Sequence, residues 1–475
     1  MGRPSQDQSQ GSLPLTDTTG QRGIILRGGF LVPAGLAVLA ACARFHDLGR
    51  LSLWYDEVVT MTLARTPGPA ALVRELGAID ATRAPAHPLI LQAWLTVLGP
   101  SDLAGRAFSA LCGVLTVAMV YRLGRRHLAD RRAAAWAAAL SVASPLMVYY
   151  SREARMYGWL TLVTCLAWDA SLSRGVRARG IAPTLRGGLA YALWLVVLAY
   201  SHPLGLLMDA TLAGTSLATR RARGLSWGAW LWPHLVAGAL IAPWLPRYLD
   251  HPPEYTVGRL PLRFLFGTPI GFIGGNFLTL GAFVGLIAWG LWRRRDESTR
   301  LVDLLAWLTV PPLILYVYSL VGHPVFGPNR YTLFVAPAFF LLLGNGLSRL
   351  PRALAWPAGL SAIALSVATL PTMVYDPGLK ADWRAAARLI DDANPTRDQP
   401  VVVASGDPES PRNLETVTAA YYLGPKRPVY AMPTDPAGLD DVVPSAYPRY
   451  WVVEGARGGD ATVPGLRIQA VDRSR

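Results

Sequence analysis

Apolar residues in this chain come in long, nearly unbroken runs, not in the spaced patterns of amphipathic elements. A helix that crosses a bilayer needs about 20 mostly apolar residues, with a working range of about 17–25. On that measure the pattern predicts eleven membrane-spanning helices, near 25–44, 105–121, 133–150, 156–173, 187–201, 203–219, 227–246, 277–292, 301–320, 331–348 and 354–374. The fifth and sixth are separated only by Ser201-His202-Pro203. The run 88–99 (PLILQAWLTVLG) has 12 residues, too few to cross, and is expected to pack at the outer membrane face. It belongs to a long external loop over 45–104.

After residue 374 the pattern changes. Residues 382–394 read as an amphipathic helix stopped by Pro395, 400–404 as a short buried strand and 413–423 as a second helix. Residues 427–432 and 449–454 read as strands again. Alternating helices and strands indicate a small α/β domain. It holds no Gly-rich phosphate loop and no catalytic triad, so it is expected to cap the membrane part, with acceptor binding the next reading. The first residues are rich in Gln, Ser, Thr and Gly, a composition of disorder. The expected fold is therefore a polytopic α-helical membrane protein in three parts. These are a disordered cytoplasmic tail (1–23), a transmembrane domain (24–374) and an extracytoplasmic soluble α/β domain (375–475).

Composition agrees. Hydrophobic residues make up 52% and charged residues 16% of the 475 positions, against about 25% charged in ordinary globular proteins. Residues 375–475 carry 26 Asp, Glu, Lys and Arg with net charge −2, so the chain's +14 resides in the apolar part. That basic excess does not imply nucleic acid. Five, four, three, four and two arginines occupy 122–132, 174–186, 220–223, 293–300 and 349–352. They alternate with arginine-poor connections, which by the positive-inside bias puts the clusters and the N-terminus in the cytoplasm. Cys42, Cys112 and Cys165 all lie in apolar runs, which excludes a disulfide scaffold. Leu39-Ala40-Ala41-Cys42 resembles a lipoprotein cleavage box, but such Ala-rich strings are frequent in this composition, and an uncleaved first helix is expected. Arginine outnumbers lysine 43 to 2, and with abundant Ala and Gly this points to a GC-rich bacterium and its cytoplasmic membrane.

Candidate chemistry sits at the outer helix ends. Asp56 and Glu57, flanked by Trp54 and Tyr55, fit a general base at a membrane-facing cleft, or simply an acidic pair opening a helix. In Tyr149-Tyr150-Ser151-Arg152-Glu153-Ala154-Arg155-Met156-Tyr157, three charges crowd between two apolar helices. Arg152, Arg155, Arg106 and Arg330 all start helices, where the positive dipole end disfavours cations. An anion such as phosphate would resolve that conflict, although Arg106 and Arg152 also have the reach to snorkel to water. His87 and His202 are further cleft candidates. Asp209, two helical turns after His202, is a carboxylate within a span and a functional candidate by default. Asp169 lies at a cytoplasmic end, within expected reach of Arg174.

These residues resemble those of the polytopic glycosyltransferases that use polyprenyl-phosphate sugars. These form the GT-C superfamily, close to the group of protein O-mannosyltransferases and lipid A aminoarabinose transferases. The match runs through Trp54-Tyr55-Asp56-Glu57, then Ala86-His87-Pro88 to Leu98-Gly99, then Arg106. It continues with Tyr150-Ser151-Arg152-Glu153-Ala154-Arg155-Met156-Tyr157, His202 and Arg330-Tyr331, over about 300 residues. One proline follows His87 where two are common, and no Glu-Lys pair precedes Pro88 as in the aminoarabinose transferases.

The resemblance implies an inverting glycosyltransferase that takes a sugar from a polyprenyl-phosphate donor to a hydroxyl of an envelope glycan, lipid or protein acceptor. Asp56 would be the general base, and Glu57 would orient it or the acceptor. Arg155 and Arg330, with Arg106, Glu153 and Tyr157, would hold the donor phosphate. His87, His202 and Asp209 would line the cleft. Some relatives use a divalent cation, but no dense His/Asp/Glu cluster here demands one. The rival readings are a lipid or polysaccharide transporter or flippase, which would use Asp209 and Asp169, and a non-catalytic assembly subunit of the same fold. The topology is testable: a periplasm-dependent reporter fused after Arg475 is expected to be active, and the same reporter after Arg126 silent. The opposite pattern would mean that 88–99 crosses the membrane or that another span is miscounted.

Overall fold

The computed structural model describes residues 19–80, 82–174, 181–249, 261–295, 298–321, 329–404, 414–432, 442–455 and 461–473. Of the tail expected to be disordered, residues 1–18 lie outside the described ones, and 19–23 begin the first helix. The helices are α1 (Thr19–Phe45), α2 (Tyr55–Ala64), α3 (Pro69–Ile79), α4 (Ala86–Leu98), α5 (Asp102–His127), α6 (Arg131–Ala143) and α7 (Pro145–Ser151). Next come α8 (Met156–Leu172), α9 (Ile181–Ser201), α10 (Pro203–Ala218), α11 (Trp227–Ile241), α12 (Leu245–Leu249), α13 (Phe264–Ile273) and α14 (Phe277–Arg293). The series ends with α15 (Ser298–Val321), α16 (Ala336–Ser348), α17 (Arg352–Met373), α18 (Trp383–Ala393) and α19 (Leu414–Leu423).

Each predicted apolar run coincides with helix. By length and composition, four helices qualify singly to cross a membrane: Asp102–His127, Arg300–Val321, Arg330–Ser348 and Arg352–Met373. Two bent pairs raise the number to six among the described residues. They are Arg131–Ala143 with Pro145–Ser151, bent by 60°, and Leu265–Ile273 with Phe277–Arg293, bent by 88°. The sequence pattern had left the first helix of that second pair within a loop. Ala86–Leu98 is a shorter apolar helix.

The breaks have local causes. Between α6 and α7, Pro145 cannot continue the hydrogen-bond ladder, and Ser144 caps the new helix by accepting from Met147 N. The carbonyls freed there would be costly in an apolar setting. Arg44 of α1, fully buried, donates to Ser141 O and Val142 O. Between α9 and α10, His202 is extended and Pro203 opens the next helix. Gly205 lets the two helices close up there, since a Cβ would stand 1.9 Å from Leu198 O.

α16 is the central post, with every residue from Ala336 to Ser348 buried. It meets α6 and α14 through glycines. A Cβ on Gly344 would lie 2.3 Å from Ala133 O, and one on Gly346 would lie 2.3 Å from Leu286 O. Small residues that let backbones approach are the usual basis of helix packing in lipid.

The C-terminal residues form a four-stranded sheet in the order β2 (Val429–Ala431), β1 (Val401–Ala404), β3 (Arg449–Gly455), β4 (Leu466–Asp472). β1 is parallel to both neighbours, and β3 and β4 are antiparallel. Val401 and Val403 pack with Trp383, Ile390, Ala419 and Leu423 of α18 and α19. β4 lies outside the elements read from the sequence, although Leu466-Arg467-Ile468-Gln469 alternates apolar and polar in the strand period.

Gly344→Val is expected to overpack the α6–α16 contact and destabilise the protein by about 1–3 kcal/mol. Thermal unfolding in detergent should show a lower midpoint, while Gly281→Val, where no atom lies within 4 Å of the added Cβ, should show none of that loss.

Candidate active site

α2 opens with Asp56 and Glu57, both in its first turn, where the helix end favours carboxylates. One step along a helix rotates a side chain by about 100°, and the two part company. Glu57 is fully buried. Its Oε1 accepts from Arg106 Nε and Ala154 N, each at 2.8 Å. Its Oε2 accepts from Arg106 Nη2 and Lys380 Nζ at 2.8 Å and from Trp54 N at 3.4 Å. Burial opposes the charge, but Arg106 and then Lys380 outweigh it and hold this carboxyl well below the usual range. Arg106 has further bonds to Leu51 O (2.5 Å), Leu48 O and Ser52 O. Its conflict with the helix dipole is thus relieved by a carboxylate of the same chain, and it does not snorkel.

Glu153 faces the same group. Lys380 Nζ lies 3.1 Å from its Oε1, and both side chains are buried. Burial raises the Glu153 carboxyl, against the pull of Lys380 and with a push from Glu57. The Trp54 ring lies between this cluster and the next, with Lys380 Nζ 5.8 Å and the Arg330 guanidinium 5.9 Å from its centre.

The second cluster is less buried and adjoins a small cleft through Thr60 and Asp80. Arg330 Nη1 donates to Asp56 Oδ2 at 2.8 Å, with both side chains partly exposed. Arg155 caps α8 in an extended conformation. Its Nη1 donates to Thr60 Oγ1 (2.8 Å) and to Asp56 O (3.1 Å), and lies 3.8 Å from Asp80 Oδ2. Burial works against its charge, but Asp56 and Asp80 outweigh it and keep Arg155 ionised. Its Nε is buried with no partner among the described residues.

Aromatic and imidazole rings close the site. Tyr157, His202 and Tyr331 stand 6.3–6.4 Å apart by ring centre. His202 Nδ1 accepts from Leu204 N at 3.0 Å, so in the neutral ring the proton is on Nε2. That Nε2 is buried and unpartnered. Burial first, then Arg155 and Arg330, push the ring down to about 3, which keeps it neutral. His87 is likewise pushed down to about 3 by burial and by Arg155. Its Nε2 and the Thr82 hydroxyl have no partner among the described residues, and both residues line a small cleft with Thr60, Asp80, Met156 and Ser201.

The structure thus gathers Asp56, Glu57, Arg106, Glu153, Arg155, Tyr157, His87, His202 and Arg330. It does not gather Asp209, whose carboxylate is buried on α10 without a partner, within electrostatic reach of Tyr191. Asp169 pairs with Arg122 at 3.1 Å and with Arg126, both on α5. The expected Arg174 instead stacks 3.9 Å over Tyr191. Facing helices, not sequence neighbours, supply that partner. Arg152 donates to Arg44 O, His46 O and Asp47 O, so it caps the end of α1.

A metal fits poorly here. No three His, Cys, Asp or Glu among the described residues converge as ligands, and the His202 tautomer leaves no lone pair on Nε2. Both imidazoles also face guanidiniums. The mechanism below has no step through a metal.

Sequence reasoning missed Lys380 and Asp80. Lys380 did carry a signal: it is one of two lysines beside 43 arginines, and it follows the last apolar run by six residues. Asp80 carried none.

Residues 82–245 match the family model for dolichyl-phosphate-mannose-protein mannosyltransferase. That range holds Arg155 and both histidines but not Asp56 or Arg330. No curated protein matches the chain. Among solved structures, ArnT from Cupriavidus metallidurans in the apo state superposes with a TM-score of 0.63 at 15% identity, over 95% of this chain and 99% of that one. The same protein bound to undecaprenyl phosphate gives 0.60 at 16%, over 93% and 98%. The Archaeoglobus fulgidus oligosaccharyltransferase in complex with Zn and sulfate gives 0.55 at 13%, over 84% of this chain and 62% of that one. The chain therefore shares the fold of ArnT and of the archaeal oligosaccharyltransferase, and is a multi-pass helical membrane protein.

Proposed function

We propose that this protein is an inverting glycosyltransferase that moves a sugar from a polyprenyl-phosphate donor to an acceptor hydroxyl at the outer face of a bacterial cytoplasmic membrane. The observation that carries the reading is the Asp56–Arg330 pair at 2.8 Å with Arg155 beside it. A base and two phosphate-binding cations are interleaved in one cluster. The undecaprenyl phosphate held by a protein of the same fold supports the lipid carrier. In this reading eleven spans place the N-terminus in the cytoplasm and the division 375–475 outside, with the cleft on that outer side.

The chemistry follows from the pairing. In the free protein Arg330 neutralises Asp56. A donor phosphate competes for Arg330 and Arg155, and loss of the Arg330 bond leaves Asp56 Oδ2 free to accept a proton. Asp56 then takes the proton of the acceptor hydroxyl, whose oxygen attacks the sugar's anomeric carbon. The bond from that carbon to the phosphate oxygen breaks, and its electron pair leaves with the polyprenyl phosphate. Charge grows on the phosphate as the sugar departs, and the two guanidiniums stabilise it. A phosphate leaving group needs no general acid. The His202 Nε2–H, fixed and unpartnered, is available to a substrate oxygen. A single displacement inverts the anomeric centre.

The purified protein, incubated with a panel of polyprenyl-phosphate sugars, is expected to release free polyprenyl phosphate. Asp56→Asn should insert and fold normally yet lower turnover by about 10²–10⁴-fold, the scale of a lost general base. Near-normal release by that variant, at matched folded fraction, would remove Asp56 from the reaction.

Lysine keeps a charge but loses the planar fork of arginine. Arg155→Lys is therefore expected to weaken both donor affinity and turnover, and Arg330→Lys to act in the same direction. Arg152→Lys should do little, because its partners are carbonyls at the end of α1. Full affinity and rate in Arg155→Lys, with both lost in Arg152→Lys, would assign the phosphate to the other arginine.

A further inference from the structure

Lys380 lies between the last apolar helix and α18, in extended backbone. Its ammonium reaches Glu57 at 2.8 Å and Glu153 at 3.1 Å, and its side chain is only 8% exposed. The segment around it is tied down on both sides of the site. Ser52 Oγ donates to Asp382 Oδ1 at 2.8 Å and accepts from Arg384 N at 3.0 Å. Arg384 Nη2 and the hydroxyls of Tyr421 and Tyr422 all donate to Asp102, at 2.8–3.0 Å. Leu53 N donates to the Tyr422 hydroxyl at 2.6 Å.

We propose that Lys380 is a positioning residue of the active site: it neutralises the Glu57–Glu153 pair and so fixes α2, and with it Asp56, only when the C-terminal segment is docked. The inference rests on the reading of Asp56 as the base. Glu57 and Glu153 are balanced by Arg106 and Lys380, two charges against two. Without Lys380 two buried carboxylates share one guanidinium, and that guanidinium points at Glu57 alone. A buried charge stripped of its partner is strongly disfavoured. Relief comes from separation of the carboxylates or from a proton on Glu153. Separation moves α2 or the turn 152–155, and these carry Asp56 and Arg155. The Ala154 N–H on Glu57 links the two directly.

The residue type fits the task. An ammonium is a compact charge with three donors, able to reach two carboxylates at once, where a guanidinium needs a planar fork. Trp54 and Tyr149 flank it, with ring centres 5.8 and 5.9 Å away. The charged and titratable groups within electrostatic reach of Glu153 are Glu57 and Asp56 from α2, Arg106 from α5, Tyr149 and Tyr150 from α7, and Lys380 itself.

The test uses the full chain in lipid nanodiscs with two variants, Lys380→Met and Lys380→Met combined with Glu153→Gln. One readout is amide hydrogen exchange in α2, with α16 as the fold control. The other is polyprenyl phosphate release across pH. Lys380→Met is expected to speed α2 exchange and lower turnover, each by at least about tenfold, with α16 protected as in the wild type. Its activity relative to wild type should rise as the pH falls, because protonating Glu153 removes the excess charge. Adding Glu153→Gln should restore α2 exchange to within about threefold of wild type. An unchanged α2 with turnover within about twofold of wild type in Lys380→Met would overturn the proposal. So would a folded single variant whose fast α2 exchange Glu153→Gln does not slow. If the single variant does not fold, the double variant decides: folded with α2 protected supports the proposal, and unfolded or with α2 exposed overturns it. Absence of turnover in the wild type with every donor would defeat the reading of Asp56, and the α2 exchange comparison would still decide the role of Lys380.

Discussion

A carboxylate taken fully out of water must be paid for with opposite charge, and Glu57 is where this protein meets that demand. Two cations and two backbone N–H groups converge on its two oxygens. They come from α5, from the turn before α8, from the start of α2 itself and from the segment after α17. The loop after the first helix packs through Leu53, Val58, Met61, Leu91 and Leu95 on Phe108 and Leu162. Through Glu57 it is fastened to three separate parts of the chain. Asp56 then inherits its position from its neighbour, so that the half-buried carboxylate is as well placed as the fully buried one.

Much of this was legible in the sequence because lipid imposes simple rules. A segment in a bilayer must be apolar and must satisfy its own backbone, so the helices stood out as runs. The string from Tyr150 to Tyr157 and the acidic pair were legible as chemistry because charges between apolar helices are costly and few. The partners were less so. Nothing in the order of residues says that Glu57 turns inward and Asp56 outward, or that Arg106 is matched by an internal carboxylate. Lys380 is 323 positions from Glu57, and no periodicity spans that distance. Asp169 illustrates the same limit: its true partners sit on a facing helix, while the arginine five residues on looks elsewhere.

Two of the breaks in the helical layer make an instructive contrast. Both expose polar groups where unpaired ones are expensive. At the break between α6 and α7, Arg44 fills the gap with its Nη donors, and only its Nε stays buried without a partner. At the second, between α9 and α10, His202 spends one ring nitrogen on the new helix and keeps the other unspent. The first break is a structural repair. The second points a polar atom toward Tyr157 and Tyr331, beside the arginines of the cleft.

The distance between Glu57 and Lys380 also has a meaning in time. A ribosome works from the N-terminus, and domains form as they emerge. Glu57 and Glu153 are made and inserted long before Lys380 exists, so the growing chain carries a carboxylate pair with only one of its two cations. The balance is struck when the final fifth of the protein arrives and docks on Asp102, Ser52 and Leu53. A chain cut before Lys380 therefore lacks one of the two cations that face Glu57 and Glu153.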